Sequence, residues 1–363
     1  MICIFLASLL AGTLFFIFYP IAQFPRPNGC YGVGCKNYHW VDQSCQELNT
    51  HNTKHPYREL MVHVFYPTEK NNFVTPVAYD SDAAKSAIKY FAHCSKFPEF
   101  VFSSVKFIKT HVQPGAQFAK SETRFPVVIF SHGSDGPIVQ SYTWILEELA
   151  SQGFVVVGIN HPEGMAHDAQ EKAQRLETRT QDVSFVITKI KELCSQKDPF
   201  WLNIDLEKIG MLGHSFGGRT TVRATRKDKR IKCGINLDGG IQDDDAAQTF
   251  TTPFMFVIAQ KSFLWNKDHP MHPKNAEAAL DVFSRLAKTK GTNIKILTIE
   301  GVGHSVFSDA PLQLNTTLFG RLISRYAPFG LEAPAEKATN VLVTKVMPAI
   351  NNFLSEQLRN SSK

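Results

Sequence analysis

The sequence predicts an α/β protein: a mostly parallel, doubly wound sheet with helices on both faces. Two observations carry this. Short runs of apolar residues alternate along the chain with segments whose apolar residues recur at helical spacing, and the strand-like runs are apolar at successive positions rather than at every second one. Strands of that kind are covered on both faces, as in a parallel sheet. A chain of 363 residues with 43% hydrophobic and 20% charged residues can bury such a core within one catalytic unit.

Taken in order, Glu59 to Tyr66 is the first strand and stops at Pro67. Phe125 to Phe130 is a strand; Tyr142, Ile145, Leu146 and Leu149 fall at helical spacing; Phe154 to Ile159 is apolar again. Val183, Val186, Ile187, Ile190 and Leu193 mark the next helix, Ile209 to Leu212 a strand, and a helix follows from Arg219. Ile231 to Leu237 and Phe254 to Ile258 are strands, followed by a helix around Ala276 to Leu286 and the strand Ile294 to Ile299. Glu336 to Leu358 reads as a closing helix, kinked or broken at Pro348. Right-handed crossovers turn this series into a doubly wound sheet.

The catalytic domain is set at residues 59–363, with two parts before it. Residues 1–20 contain the uncharged run Ile2 to Tyr19, an export segment that reads as an uncleaved membrane anchor or as a cleaved signal. Residues 21–58 hold Cys30, Cys35 and Cys45 among turn residues, which suggests a local disulfide in an exported protein; the spacing does not suit paired metal ligands. Residues 80–120 scatter Tyr90, Phe91, Phe97, Phe100, Phe102 and Phe107 among lysines and serines, as a lid or lipid-facing insertion or as ordinary core. The net charge of +6 is spread without a Lys/Arg block. That argues against nucleic acid as a partner and is compatible with docking on an anionic lipid surface.

The chemistry concentrates in Gly213-His214-Ser215-Phe216-Gly217-Gly218, between an apolar strand and a helix. This is the context of a nucleophile elbow, where Ser215 sits on a turn too tight for side chains at Gly213 and Gly217. A serine hydroxyl needs a base, and His304, in the glycine-flanked loop after Ile294 to Ile299, fits that place; His269 and His272 are alternatives. His132, His161 and His214, at strand ends, suit the orientation of loops. The acid that orients the base is placed at Asp238, directly after Ile231 to Leu237, with Asp268 as the alternative. Asp243, Asp244 and Asp245 read as a solvated charge run. For the oxyanion hole, the N–H groups of Phe216 and Ser134 are the candidates, with Gly133 or Asp135 instead of Ser134 if the turn is shifted. No metal or cofactor is expected.

These residues resemble the plasma-type platelet-activating factor acetylhydrolases, the lipoprotein-associated phospholipases of the α/β-hydrolase superfamily. The similarity runs through Phe24-Pro-Arg-Pro-Asn-Gly29 with Val33-Gly34-Cys35, Phe130-Ser-His-Gly133, Gly153-Phe-Val-Val156, Gly213 to Gly218, Cys233-Gly-Ile-Asn-Leu-Asp238 and Gly301-Val-Gly-His304. An acid at Asp238, one strand earlier than in most of the superfamily, is its most specific mark together with the elbow. The resemblance implies calcium-independent removal of short or oxidised acyl chains from the second position of glycerophospholipids. The same residues would serve a general carboxylesterase, a polyester-cleaving hydrolase or a phospholipid acyltransferase.

Overall fold

The computed structural model describes residues 22–46, 56–70, 77–134, 138–162, 168–241, 250–265, 293–327 and 329–359. Their strands are β1 (Gly32–Gln46), β2 (Tyr57–Thr68), β3 (Val77–Ala78), β4 (Lys109–Thr110), β5 (Val112–Pro114), β6 (Phe125–Ser131), β7 (Val155–Asn160), β8 (Ile204–His214), β9 (Ile231–Leu237), β10 (Phe254–Ala259) and β11 (Ile294–Ile299). Their α-helices are α1 (Ser81–Ser95), α2 (Thr143–Ser151), α3 (Ala169–Ser195), α4 (Phe216–Lys227), α5 (Ala310–Asn315), α6 (Leu318–Ile323), α7 (Ala335–Val341) and α8 (Met347–Leu358). Nine of the strands form one sheet in the order β11-β10-β9-β8-β6-β7-β2-β1-β5. From β7 through β11 every neighbouring pair is parallel, and β2 joins β7 antiparallel.

The apolar runs are explained by burial on both faces. Along β6, Val127 and Ile129 enter one core with Val183, Val186, Ile187 and Ile190 of α3. Val128 and Phe130 enter the other, with Ile145 and Leu149 of α2 and Ile350, Phe353 and Leu354 of α8. Each such side chain withdrawn from water contributes about 1.5–3 kcal/mol before conformational entropy is subtracted. The predicted mostly parallel sheet with helices on both faces is therefore the architecture observed.

Three local expectations change. The segment set apart as residues 21–58 supplies β1, which pairs antiparallel with β2 from Gly32 opposite Thr68 to Gln46 opposite Tyr57. β1 has long stretches of polar and small residues with one covered side, so it lacks the continuous apolar signature used to find the other strands. The local disulfide is not formed. Cys30 and Cys35 are free thiols, and Cys35, opposite Phe65, and Cys45, next to Gln46 opposite Tyr57, stand near the two ends of the same ladder, more than 20 Å apart at about 3.3 Å per residue, against the few ångströms a disulfide spans. The closing helix is interrupted before Pro348 rather than at it. Leu342–Val346 forms a π turn and Pro348 sits in the first turn of α8, where its missing N–H costs nothing. The helix expected around Ala276 to Leu286 lies outside the described residues, as do residues 1–20.

Candidate active site

β8 ends at His214 and α4 begins at Phe216, so the whole change of direction falls on Ser215, at φ 56° and ψ −120°. The two flanking glycines are dictated by backbone contact. A Cβ on Gly213 would stand 2.1 Å from the Gly217 carbonyl oxygen, and one on Gly217 would stand 2.0 Å from that of Ser131. The turn is held by Ser215 N–H donating to Leu237 O at 2.9 Å. Phe216 is the first residue of α4, whose leading N–H groups have no partner within the helix.

Asp238 follows β9 with φ 50° and is buried. Its Oδ2 accepts Nδ1–H of His304 at 2.6 Å. Its Oδ1 accepts the Ala259 N–H at 2.9 Å and the Trp265 indole N–H at 2.6 Å. The carboxylate thus reaches over the end of the neighbouring strand β10. His304 opens a short 3-10 turn (His304–Phe307) and packs against Phe263, with ring centroids 4.8 Å apart. Its loop is fixed by Gly303 N–H to Leu331 O at 2.6 Å and Ser305 N–H to Gly330 O at 2.8 Å.

Ser215, His304, Gly133 and Ser134 line one cavity of about 610 Å³, together with aromatic residues including Tyr90 and Phe329. That volume lies within the usual span of small-molecule sites. The Gly133 N–H is taken by Tyr142 Oη at 3.2 Å, whereas Ser134 faces the cavity one residue further on. Asp135, Asp268, His269, His272 and Asp243 to Asp245 lie outside the described residues.

The three strand-end histidines are buried hydrogen-bonding groups. His214 Nε2–H donates to the His304 carbonyl at 3.1 Å, and its Nδ1 accepts from Tyr142 Oη–H at 2.9 Å. Burial, then the nearby His304, hold His214 well below the ordinary histidine range, so it is neutral in this bridge. His132 is likewise neutral, through burial and then Arg179; its Nδ1–H donates to Gly133 O at 2.6 Å. Sequence reasoning gave no role at the site to Trp265, Arg58, Arg179 or Asp182, and read Tyr142 only as one position of a helical stripe. Arg179 and Asp182 left one trace, as charged residues continuing the helical stripe of Val183, Val186 and Ile190.

A family model described as platelet-activating factor acetylhydrolase, isoform II, matches residues 16–197 and 196–360. Similar curated proteins include the platelet-activating factor acetylhydrolase of Bos taurus, 23% identical over 337 residues, covering 79% of this chain and 68% of the relative. That of Cavia porcellus is 24% identical over 382 residues, covering 91% and 79%. A probable 1-alkyl-2-acetylglycerophosphocholine esterase of Arthroderma benhamiae is 33% identical over 128 residues, covering 33% and 32%. Among solved structures, a ferulic acid esterase from Streptomyces cinnamoneus superposes with a TM-score of 0.67 at 22% identity, covering 94% of each chain, and shares the fold.

Proposed function

The chain belongs to the platelet-activating factor acetylhydrolase, isoform II, family of ester hydrolases, and on that premise we propose that it removes short or oxidised acyl chains from the second position of glycerophospholipids through Ser215, His304 and Asp238. The observation that carries the reading is the 2.6 Å pair of His304 and Asp238, with His304 and Ser215 lining one cavity and Asp238 buried behind the imidazole. His304 takes the Ser215 proton as Oγ attacks the ester carbonyl carbon. The tetrahedral oxyanion rests on the N–H groups of Phe216 and Ser134. Collapse expels the lysophospholipid alkoxide, which receives the proton from His304, and water activated by the same imidazole then releases the acyl group. Asp238 does not change protonation; it holds the imidazole in the tautomer with the proton on Nδ1 and favours the imidazolium. Backbone donors carry the developing charge, so this chemistry has no step that calls for calcium.

The uncharged run Ile2 to Tyr19 supports an exported enzyme, secreted or membrane-anchored. Exposed Phe97, Phe100, Leu318 and Leu322, on the segment after α1 and on α6, support attachment to a lipid surface.

The test is release of acetate from a phosphatidylcholine carrying a two-carbon chain at its second position, in a chelator. Wild type should release it, and Ser215→Ala and Asp238→Asn should each lose roughly a thousandfold or more. Cleavage of simple esters alone would make the chain a general carboxylesterase, and transfer of the acetyl group to an added lipid alcohol in preference to water an acyltransferase. Full activity in Asp238→Asn would move the orienting acid elsewhere, Asp268 first.

A further inference from the structure

Behind the loop that follows β6 lies a buried polar network that the acyl-transfer steps do not use. Ser131 Oγ is 2.9 Å from His161 Nε2, and Nδ1–H of that ring donates to Asp182 Oδ2 at 2.6 Å. The order is that of a hydrolase triad, but Ser131 is completely buried, so no ester reaches it. Asp182 is gripped from its other side by Arg58, with Nε to Oδ1 at 3.0 Å and Nη2 to Oδ2 at 2.8 Å. The His161 backbone N–H donates to His132 Nε2 at 3.1 Å. One turn before Asp182 on α3, Arg179 Nη1 donates to the His132 carbonyl at 2.8 Å, and its guanidinium lies 4.9 Å from the centre of the Phe216 ring.

Residues 132–134 belong to neither strand nor helix, so nothing in regular structure fixes where the Ser134 N–H points. Side chains hold the segment instead: Tyr142 Oη takes the Gly133 N–H, and Arg179 of α3 takes the His132 carbonyl. We propose that Arg179 and Asp182, one turn apart on α3, are positioning residues that preset the oxyanion site, Arg179 by holding the His132 carbonyl while packing on Phe216, and Asp182 by anchoring Ser131 through His161. Arg179 is the more informative of the two, because it touches both segments that carry the donors. Hydrogen bonds from a charged donor are about twice as strong as neutral ones, which suits a loop that must not yield as charge develops. An arginine retained merely as a counter-charge for Asp182 would need no contact with His132 or Phe216.

The inference rests on the donor assignment proposed above, and its test separates the two. Arg179→Met, Arg179→Lys and the small change Ser131→Ala are assayed on p-nitrophenyl acetate, with kcat expressed per active site titrated to completion with a fluorophosphonate. Inhibition by a trifluoromethyl ketone, which forms a tetrahedral adduct, is measured alongside. Arg179→Met should lower kcat per site by roughly 30- to 300-fold with KM within about twofold, and raise the ketone inhibition constant in parallel. Arg179→Lys should recover part of both losses, and Ser131→Ala should lose roughly three- to tenfold in the same two quantities. If Arg179→Met does not fold, the Lys and Ser131→Ala variants decide the matter by the same readouts. Unchanged kcat and ketone affinity per titrated site, with losses confined to the number of sites, would overturn the proposal. A wild-type chain that neither titrates nor hydrolyses the ester would instead overturn the hydrolase mechanism itself.

Discussion

Ser215 and Asp238 both carry positive φ, 56° and 50°, although neither is glycine. Such conformations cost on the order of 1–3 kcal/mol and persist where surrounding bonds enforce them, here Ser215 N–H to Leu237 O and Asp238 N–H to Val257 O at 2.8 Å. Replacing Ser215 with glycine should therefore give a protein about 1 kcal/mol more stable than replacing it with alanine, read as a higher urea midpoint at an unchanged slope. Equal midpoints would show that the turn is not strained. Tyr142→Phe removes a hydroxyl that joins Gly133 N–H to His214 Nδ1. Leaving two buried groups without that partner should cost about 1–3 kcal/mol in the same experiment. At this scale the sequence was readable where local geometry dictates the residue type. The glycines around Ser215, the strand end at Asp238 and the glycine-flanked loop of His304 could be located from the chain alone. Trp265, Tyr142 and Arg179 act through contacts made by the fold, and a residue whose partner lies dozens of positions away leaves little local pattern.

Helix α2 illustrates how an element can hide its electrostatics. Its first N–H groups are met from the His304 loop: Asp309 Oδ1 accepts the Trp144 N–H at 3.1 Å, while Asp309 Oδ2 accepts from Tyr79 Oη at 3.1 Å. One turn on, Glu147 Oε1 accepts the His111 N–H at 2.7 Å. Burial is the main cause that pushes the Asp309 carboxyl up to about 7 and that of Glu147 up to about 8. A carboxyl whose pKa is raised on folding binds its proton more tightly in the folded state. Its stabilising contribution is complete below the unfolded value near 4 and disappears as the pH rises through 7 to 8. Glu147→Gln keeps an acceptor for the His111 N–H and has no proton to lose. The wild type should lose thermal stability between pH 5 and pH 8.5, and the variant should lose markedly less, with the two close together at pH 5. Parallel curves would remove Glu147 from the account. Periodicity located most central elements, but α3 starts at Ala169, far ahead of its clearest apolar stripe at Val183 to Leu193. Asp168 caps that earlier start by accepting the Glu171 N–H at 2.8 Å, and the buried ionic pair of Arg58 and Asp182 takes the place of apolar residues on the buried face.

At the scale of the molecule, the residues that follow β6 and β8, Gly133, Ser134 and Ser215, line the cavity, which therefore lies at the carboxyl ends of the parallel strands. Lys96, which caps α1, and Gln313 of α5 contribute to its walls, and exposed aromatic and aliphatic residues follow each of them in the chain. Phe97 packs on Phe319 with ring centroids 5.5 Å apart, linking the segment after α1 to α6. Phe100 is 66% exposed, Leu318 56% and Leu322 54%. The 80–120 segment was readable from sequence as a lid or lipid-facing insertion or as core, because a 3-10 helix has no stable phase in the pattern. The fold divides it, burying Phe91 and Phe102 and exposing Phe97, Phe100 and Phe107. Apolar side chains of this size gain about 1.5–3 kcal/mol each on leaving water, enough for two of them to move a membrane partition constant more than tenfold. The double variant Phe100→Asp, Leu322→Asp should therefore partition at least tenfold less onto phosphatidylcholine vesicles, while its kcat/KM on soluble p-nitrophenyl acetate stays within about twofold of wild type. Unchanged partition would move lipid attachment away from this rim; loss of soluble esterase activity as well would show that the rim shapes the cavity itself.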